Sequence, residues 1–495
     1  PAMSTPTLQE IRDFKGTYPR QLIALFATEM WERFCFYGLR GMLVVFMVTQ
    51  LGLGDRDANL QYGAIQAFVY AFTFIGGLFA DKILGFQKSL FWGALLMIAG
   101  GFIIAIAPAQ FFYIGICFNI IGTGFFKPNI STMVGQLYHE GDPRRDAGFG
   151  LFYMGINLGA FLGGLLMVWI GKEYSWRLAF ALVGIVMIVS LITFVLTRRN
   201  LGPIGLSPLR ADLPTTTKRW YEVAVYIGSL LSIPAIHAMV TNTAYTDLFM
   251  YIIGPLTLVY LFWEMRRFNA EENRKLVAAL VFIIFSVFFW AFFEQSGGSL
   301  SLFALNNLSP SLFGIKVDPN GVNNSANSLF VIAFSALVGL LWLWLARRKA
   351  EPNSVVKFGL GFLLLGAGFY IFKSTIAFAN ADGITSTEVF VLAWFVITFG
   401  ELCLSPIGLS LMTKLSPARI QGLMMGMWFL ASAYGQYVAG LLGAGMSAED
   451  PNASNYDKLV LYTDGYGQLG LYALIAGGVL IVVAPLVRKL MGGVK

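Results

Sequence analysis

Four ionisable side chains lie inside one otherwise apolar stretch, ALFATEMWERFCFYGLRGMLVVFMV at residues 24–48. Glu29, Glu32, Arg33 and Arg40 are spaced so that they fall on one face of a helix. Because an ionised group inside a bilayer is costly, it normally faces a cavity or a partner. This face indicates a site that binds protons or charged groups, and a purely local ion pair between Glu29 and Arg33 is the alternative.

Three further charges interrupt apolar stretches later in the chain. Lys127 lies in GTGFFKPNIS, Glu294 in FFWAFFEQSGGSL and Glu401 in TFGELCLSPIGLS. From the order of these segments we expect Arg40 to pair with Glu294, and Lys127 with Glu401, across a central cavity. The alternative is that the charged groups snorkel to the membrane surface, which suits the long side chain of Lys127 better than the two glutamates.

The composition is typical of a membrane protein. Hydrophobic residues make up 57% of the 495 residues and charged residues only 12%, whereas soluble proteins carry about 25% charged residues. The net charge of +7 agrees with the positive-inside rule, so nucleic acid is not an expected partner. The sequence contains no metal-ligand spacing, catalytic motif or channel filter, so we expect neither an enzyme nor a cofactor other than co-transported protons.

Apolar runs long enough to cross a bilayer predict fourteen spanning helices, arranged as six, two and six. The polar N-terminus lacks the apolar core of a signal peptide, so we expect the first run to remain as a span. We predict an N-terminal bundle over 1–200, a linker with two added helices over 201–270, and a C-terminal bundle over 271–495. The spans fall near 20–50, 60–80, 88–107, 110–137, 147–171, 176–197, 221–242, 246–264, 272–306, 324–346, 356–379, 386–413, 420–446 and 466–490.

The Lys and Arg residues predict the orientation in the membrane. Of the 34, 25 fall at the N-terminus or in every second loop after it, and 6 fall on the opposite side. Since Lys and Arg accumulate on the cytoplasmic side, we expect both termini in the cytoplasm. Paired six-helix bundles are typical of transporters whose substrate site lies near mid-membrane, where the halves meet.

Aromatic and amide side chains form a second group of candidate site residues. The aromatic residues can line a pocket, although such residues more often pack or face the lipid interface. The amides either hydrogen-bond across helices or contact substrate, and the sequence leaves both readings open. The residues are Tyr37, Tyr70, Tyr153, Trp290, Trp428 and Phe429, with the amides of Asn157 and Asn327. Both histidines stand apart from this group, so we expect carboxylates to carry any proton.

Several segments resemble the proton-dependent oligopeptide transporter family, a branch of the major facilitator superfamily. EMWERFCFYGLR resembles its ExxERF pattern, and GGLFADKILGFQKS and FGLFYMGINLGAFLGG resemble its two signature segments. GTGFFKPNIS, FFEQSGGSL, GELCLSPIGLS and MMGMWFLASAYGQ resemble its fourth, seventh, tenth and eleventh helices. The resemblance covers nearly the whole chain, and the middle pair resembles the two added helices of bacterial members.

The resemblance implies an all-α membrane protein with the major facilitator superfamily fold. It implies import of di- and tripeptides by proton symport and alternating access, in the inner membrane of a bacterium, and we expect a functional monomer. In this family's pattern Arg40 and Lys127 hold the peptide carboxylate, and Glu401 receives the amino terminus together with Asn157 and Asn327. The aromatic residues shape tolerant side-chain pockets.

The proton-coupling role falls, by the same resemblance, on Glu29, Glu32 and Arg33. Phe36 departs from the family pattern, because many members have tyrosine there, and the change removes a hydroxyl group. An exporter or an anion carrier on the same fold is the main alternative, since plant members of the family carry nitrate. Glu401 favours peptides, because a small anion has no use for a carboxylate that binds an ammonium group.

Overall fold

Helices account for most of the structure. This computed structural model describes residues 5–404 and 408–494, and the described residues form eighteen α-helices and one short β-hairpin. The hairpin pairs β1 (Ser311–Leu312) with β2 (Ile315–Lys316) in antiparallel register. The helices α1 to α18 are, in chain order, Leu8–Arg12, Arg20–Thr49, Asp55–Phe79, Phe86–Ile106, Pro108–Gln136, Arg144–Glu173, Trp176–Thr197, Thr215–Leu231, Ile233–Thr241, Thr243–Met265, Ala270–Phe293, Ser299–Asn307, Pro319–Arg347, Ser354–Ser374, Thr387–Leu402, Leu409–Leu415, Gln421–Gly445 and Asn455–Leu490.

Polar side chains in the turns determine where several helices begin. Ser175 accepts a hydrogen bond from the backbone N–H of Leu178 at 3.3 Å and caps α7. Asn269 and Glu272 form a reciprocal capping box at the start of α11. Such caps satisfy backbone N–H groups that the first helical turn leaves without partners. Polar residues in the turns therefore start helices as well as connecting them.

Each predicted span coincides with a helix or with consecutive helices, but some boundaries were wrong. The last helix begins at Asn455 rather than near 466, because Ser454 caps a polar first turn that precedes the apolar run. The span predicted over 221–242 is divided at Ser232 into α8 and α9. Pro234 explains this break, since it has no N–H to continue the helical ladder. Of the span predicted over 386–413, the part around Pro406 lies outside the described residues.

The number of spans is only partly established by the helices. Eleven helices or helix runs in the described part of the chain are long and apolar enough to cross a membrane. The helices outside this set are the short α1 and α16, α2, which carries the four charges, the 16-residue α15, and α17. The chain is thus a multi-pass helical protein, and the count of fourteen spans stays a prediction.

The chain divides into two compact units. The first contains Pro1–Met42 and Phe68–Thr241, and the second contains Leu43–Ala67 and Asn242–Lys495. The middle pair is divided between them, because α8 and α9 belong to the first unit and α10 to the second. The domain boundaries predicted after residues 200 and 270 stay predictions.

Glycine lets helices of the first unit approach closely. A Cβ atom on Gly76 of α3 would overlap the backbone carbonyl of Gly124 on α5. Lipid tails are as apolar as the side chains that face them, so helices in a membrane associate through close packing, and small residues make this possible. The contact between α3 and α5 therefore depends on two glycines.

The second unit includes the tip of the hairpin formed by α2 and α3. The Tyr462 hydroxyl donates to Asp55 Oδ2 at 2.9 Å, and Lys458 Nζ lies 3.9 Å from the same oxygen. Asn59 Nδ2 donates to the Ser447 hydroxyl at 3.4 Å. These bonds attach the start of α3 to α18 and to the end of α17.

We expect Gly76→Ala to lower the thermal stability of the purified protein, because the added methyl group forces α3 away from α5. Overpacking of this kind typically costs about 1–3 kcal/mol. The measurement is the unfolding temperature in detergent. Gly228→Ala in α8 is the control, since a Cβ there meets nothing within 4 Å. Equal unfolding temperatures for Gly76→Ala and Gly228→Ala would contradict the packing argument.

Candidate functional site

Arg33 holds both glutamates of the charged stripe on α2. The exposed fractions are 1% for Arg33, 2% for Glu29 and 0% for Glu32. Arg33 donates from Nη2 to Glu32 Oε1 at 2.6 Å and from Nε to Glu32 Oε2. Its Nε also lies 3.2 Å from Glu29 Oε1. The local Glu29–Arg33 pair is thus present, and Glu32 joins it in a buried cluster with one excess negative charge.

Aromatic rings extend this cluster along the same helix face. The Arg33 guanidinium lies 4.3 Å from the centroid of the Phe36 ring and 5.6 Å from that of Tyr37. The Arg40 guanidinium lies 5.7 Å from the Tyr37 ring on the next turn. A cation is attracted to the face of an aromatic ring, and this attraction needs no hydroxyl group. Phe36 therefore supports Arg33 although it departs from the family pattern.

Lys127 reaches the same region from α5. Its Nζ lies 4.7 Å from the centroid of the Tyr70 ring on α3, and it attracts the carboxylate of Glu29 electrostatically. Lys127 thus joins Glu29, Glu32 and Arg33 as a fourth ionisable group in this region. Sequence reasoning missed this neighbour of Glu29, because the two residues are almost a hundred positions apart and no local pattern joins them.

The amide of Asn157 bonds along its own helix. Asn157 Nδ2 donates to the Tyr153 carbonyl at 2.9 Å, one turn earlier in α6. The Tyr153 side chain is 53% exposed, and its ring lies 6.0 Å from that of Phe149. The Asn157 bond in the structure thus lies within α6, and a hydrogen bond across helices stays a prediction. Contact with a substrate stays a prediction for both Asn157 and Tyr153.

The second unit brings Asn327 and Glu401 together. Asn327 Nδ2, on α13, donates to Glu401 Oε2 at 2.8 Å and to Thr398 Oγ1 at 3.0 Å, both on α15. The Thr398 hydroxyl in turn donates to the Trp394 carbonyl at 2.7 Å. The Asn327 amide thus donates two hydrogen bonds to side chains of α15. The bond to Glu401 fixes the orientation of its carboxylate.

Glu294 lies where α11 ends in a 3₁₀ turn, Glu294–Gly297, and it is 8% exposed. Two amides support this turn. Gln295 Nε2 donates to the Ala439 carbonyl of α17 at 3.0 Å, and Asn323 Nδ2 of α13 donates to the Ser296 carbonyl at 2.7 Å. Sequence reasoning missed both amides, although a polar side chain within an apolar span was a signal that could have identified them.

The tryptophan and phenylalanine candidates lie on α11 and α17. The Trp290 ring packs 5.3 Å from the rings of both Phe289 and Phe293. Its Cβ lies close to Gly435, where an added methyl carbon would be 3.0 Å away. Trp428 and Phe429 are partly exposed on α17. Trp290 thus has a packing role, and a pocket formed by these aromatic residues stays a prediction.

The charged residues predicted to meet across a cavity lie in different units. Arg40 and Lys127 belong to the first unit, and both are partly exposed. Glu294 and Glu401 belong to the second. The pairs Arg40–Glu294 and Lys127–Glu401 stay predictions.

The polar residues of the middle helices attach each helix to one unit. Glu222 lies in α8, and Asp247 and Glu264 lie in α10. Each of them pairs with a side chain of a neighbouring helix or connecting turn. The pairs are Glu222 with Lys88 in the first unit, and Asp247 with Tyr437 and Glu264 with Arg419 in the second. The middle pair is therefore anchored by one polar pair in the first unit and by two in the second.

The sequence pattern of the POT family matches residues 87–458, about three quarters of the chain. The chain belongs to the POT family. Membership confirms that this protein is a transporter rather than an enzyme. It also agrees with the order of the motifs quoted above.

Curated relatives align with the chain over nearly its full length. The chain is 34% identical to the peptide transporter YePEPT of Yersinia enterocolitica, with 98% of this chain and 97% of the relative covered. It is 33% identical to the uncharacterized transporter YclF of Bacillus subtilis, with 96% of each chain covered. It is 29% identical to dipeptide and tripeptide permease A of Edwardsiella piscicida, again with 96% of each chain covered.

Solved structures of POT family members confirm the fold. A mutant of the peptide transporter POT in complex with alafosfalin matches with a TM-score of 0.83 and 32% identity, over 99% of this chain and 100% of that one. Tetrameric PepTSo2 matches with a TM-score of 0.83 and 28% identity, over 95% of this chain and 98% of that one. The predicted all-α membrane fold of the major facilitator superfamily is confirmed.

We expect Arg33→Met to destabilise the protein strongly, because it leaves two buried carboxylates without their cation. Removing one partner of a buried ion pair typically costs about 3–5 kcal/mol. The triple variant Glu29→Gln, Glu32→Gln, Arg33→Met should recover most of the loss, since it buries no unpaired charge. The readout is the unfolding temperature in detergent. An unchanged temperature for Arg33→Met alone would show that the cluster is not a structural unit.

Proposed function

We propose that this POT family member is a proton-coupled symporter that imports di- and tripeptides by alternating access. The names of two curated relatives, a peptide transporter and a dipeptide and tripeptide permease, support the substrate class. The distribution of Lys and Arg supports both termini in the cytoplasm of a bacterium, with the protein in the cytoplasmic membrane. The working unit is a monomer in this proposal, although the solved relative PepTSo2 is described as tetrameric.

The observation that carries the substrate assignment is the separation of charge between the units. The first unit offers Arg40 and Lys127 as partly exposed cations, and the second offers Glu401 oriented by Asn327. A short peptide carries a carboxylate at one end and an ammonium group at the other. In the proposed binding mode the cations take the carboxylate and Glu401 takes the ammonium group. Because the termini supply the binding, many side chains are tolerated.

Proton coupling is assigned to the Glu29–Glu32–Arg33 cluster. Both oxygens of Glu32 accept hydrogen bonds from Arg33. Glu29 Oε2, in contrast, is buried and has no hydrogen-bond partner within residues 5–404 and 408–494. A proton on Glu29 Oε2 breaks no hydrogen bond, whereas a proton on Glu32 displaces an N–H of Arg33. We therefore propose that Glu29 takes the first proton. Protonation of Glu32 then weakens its contacts with Arg33.

Proton binding and peptide binding are linked through charge. Protonation of a glutamate leaves Arg33 and Lys127 with an excess positive charge, which the peptide carboxylate can neutralise. Binding of the carboxylate to Arg40 and Lys127 competes with Glu294 and Glu401, the predicted partners of these cations in the second unit. Loss of these ion pairs frees the bundles to rock about the site, which is alternating access.

We expect Glu32→Gln to abolish peptide accumulation driven by a pH gradient while counterflow of peptide stays measurable. The amide keeps the size of the side chain but cannot change its charge with protonation. The measurement is uptake of radiolabelled Ala-Ala into proteoliposomes with and without an imposed pH difference. Glu173→Gln, at the exposed end of α6, is the matched control and should accumulate peptide normally. Normal accumulation by Glu32→Gln would remove the cluster from the coupling role.

We expect Arg40→Ala and Glu401→Gln each to weaken binding of Ala-Ala by at least tenfold, because each removes the charge that holds one peptide terminus. Isothermal titration calorimetry of the purified variants measures this. Glu401→Gln is chosen because the amide can still accept a hydrogen bond from Asn327. Arg56→Ala, which removes an exposed cation, is the control. Unchanged affinity in both site variants, or gradient-driven uptake of nitrate instead of Ala-Ala, would favour the anion carrier.

A further inference from the structure

A cationic cavity lies in the first unit, apart from the charged stripe of α2. Its volume is about 440 Å³, within the range of cavities that hold small ligands. Its lining includes the first turn of α4, the 3₁₀ turn Arg198–Leu201 that follows α7, and Tyr226 of α8. These elements are the ends of spans on the side that carries most of the Lys and Arg residues.

Hydrogen bonds fix the loop that closes this cavity. The backbone N–H of Gln87 donates to the Gly205 carbonyl at 2.9 Å, and its side chain Nε2 donates to the Ile204 carbonyl at 2.6 Å. The Ser207 hydroxyl donates to the Ile83 carbonyl at 2.7 Å. Gly85, at a φ of 77°, allows the loop to lie against the start of α4, since a Cβ there would meet the backbone of Leu206. The cavity is therefore formed before any ligand arrives.

Three cations line the cavity, namely Lys88, Arg198 and Arg199. Lys88 forms an ion pair with Glu222. Neither arginine forms an ion pair with a carboxylate among the residues that the structure describes. The three cations and Glu222 together leave two positive charges beside one cavity, which favours an anion carrying hydrogen-bond acceptors. A phosphate group fits this requirement, because guanidinium groups bind its oxygens in pairs.

Apolar side chains decide between a lipid and a soluble phosphate. Phe91, Leu206 and Tyr226 line the same cavity as the cations, so its wall is amphipathic. On α8 the neighbouring Trp220 and Tyr221 are 70% and 47% exposed, as expected of aromatic residues at the membrane interface. Basic pockets between helices at the cytoplasmic surface are typical sites for anionic headgroups. We propose that this cavity binds the phosphate of an anionic phospholipid, with the lipid chains lying along the apolar wall.

The test measures binding of dioleoylphosphatidylglycerol to the full-length protein by native mass spectrometry, in a detergent without phosphate. The triple variant Lys88→Gln, Arg198→Gln, Arg199→Gln should bind the lipid on the order of 10- to 100-fold more weakly than the parent protein, because the three cations that face its phosphate are gone. Dioleoylphosphatidylcholine, which has the same chains and phosphate but no net charge, should bind the parent protein more weakly than dioleoylphosphatidylglycerol.

A matched control separates this site from general positive charge. Arg347→Gln, Arg348→Gln, Lys349→Gln removes three exposed cations at the end of α13 and should leave lipid binding within twofold of the parent. Equal losses in the two triple variants would overturn the proposal. The double variant Arg198→Lys, Arg199→Lys retains the charge. It tests whether the neutral variant loses binding through loss of charge or through misfolding. It should keep most of the binding, and a loss as large as in the neutral variant would also overturn the proposal.

A competition arm distinguishes the lipid from a free phosphate. Glycerol phosphate carries the headgroup chemistry without acyl chains, so it should displace the lipid only at concentrations far above that of the lipid. Displacement at equal concentrations would overturn the lipid proposal and assign the cavity to a soluble phosphate compound. All readouts are binding measurements, so failure of the transport proposal would leave this result unaffected.

Discussion

The structure of this transporter depends on one constraint, which is that a charge inside a membrane must be paired. Arg33 is buried because two carboxylates surround it, and Glu401 is held by Asn327 through a hydrogen bond. Such groups cannot be removed singly without leaving an unpaired charge or polar atom at low dielectric. The bond from Asn327 to Glu401 also joins α13 to α15, so a change of charge at Glu401 is also a change in what holds these two helices.

In the proposed mechanism, this constraint determines that binding of a proton favours binding of an anion. The glutamates of α2, Arg33 and Lys127 have formal charges that sum to zero when both glutamates are ionised. In the proposed mechanism, one proton makes this group positive by one charge, and one peptide carboxylate restores the balance. A bound proton would therefore favour binding of the peptide carboxylate, which is the coupling that the proposed symport requires.

Part of this architecture could be predicted from local sequence. Apolar runs located the helices, and the spacing of three and four residues placed Glu29, Glu32 and Arg33 on one face. The rest depends on contacts between distant segments. Nothing near Lys127 indicates that it attracts Glu29, and nothing near residues 43–67 indicates that they belong to the second unit. The early start of α18 was missed because a cap, rather than an apolar run, determines it.

The chain passes between the two units at three places. Two of them lie within the continuous helices α2 and α3, after Met42 and after Ala67. The third is the single residue Asn242 between α9 and α10, which has an extended backbone and caps α10. A helix resists bending because its hydrogen bonds are made along its whole length, whereas one extended residue changes its backbone angles at little cost. The middle pair is anchored to the first unit through Glu222 and to the second through Glu264, so its polar contacts lie on both sides of the break at Asn242.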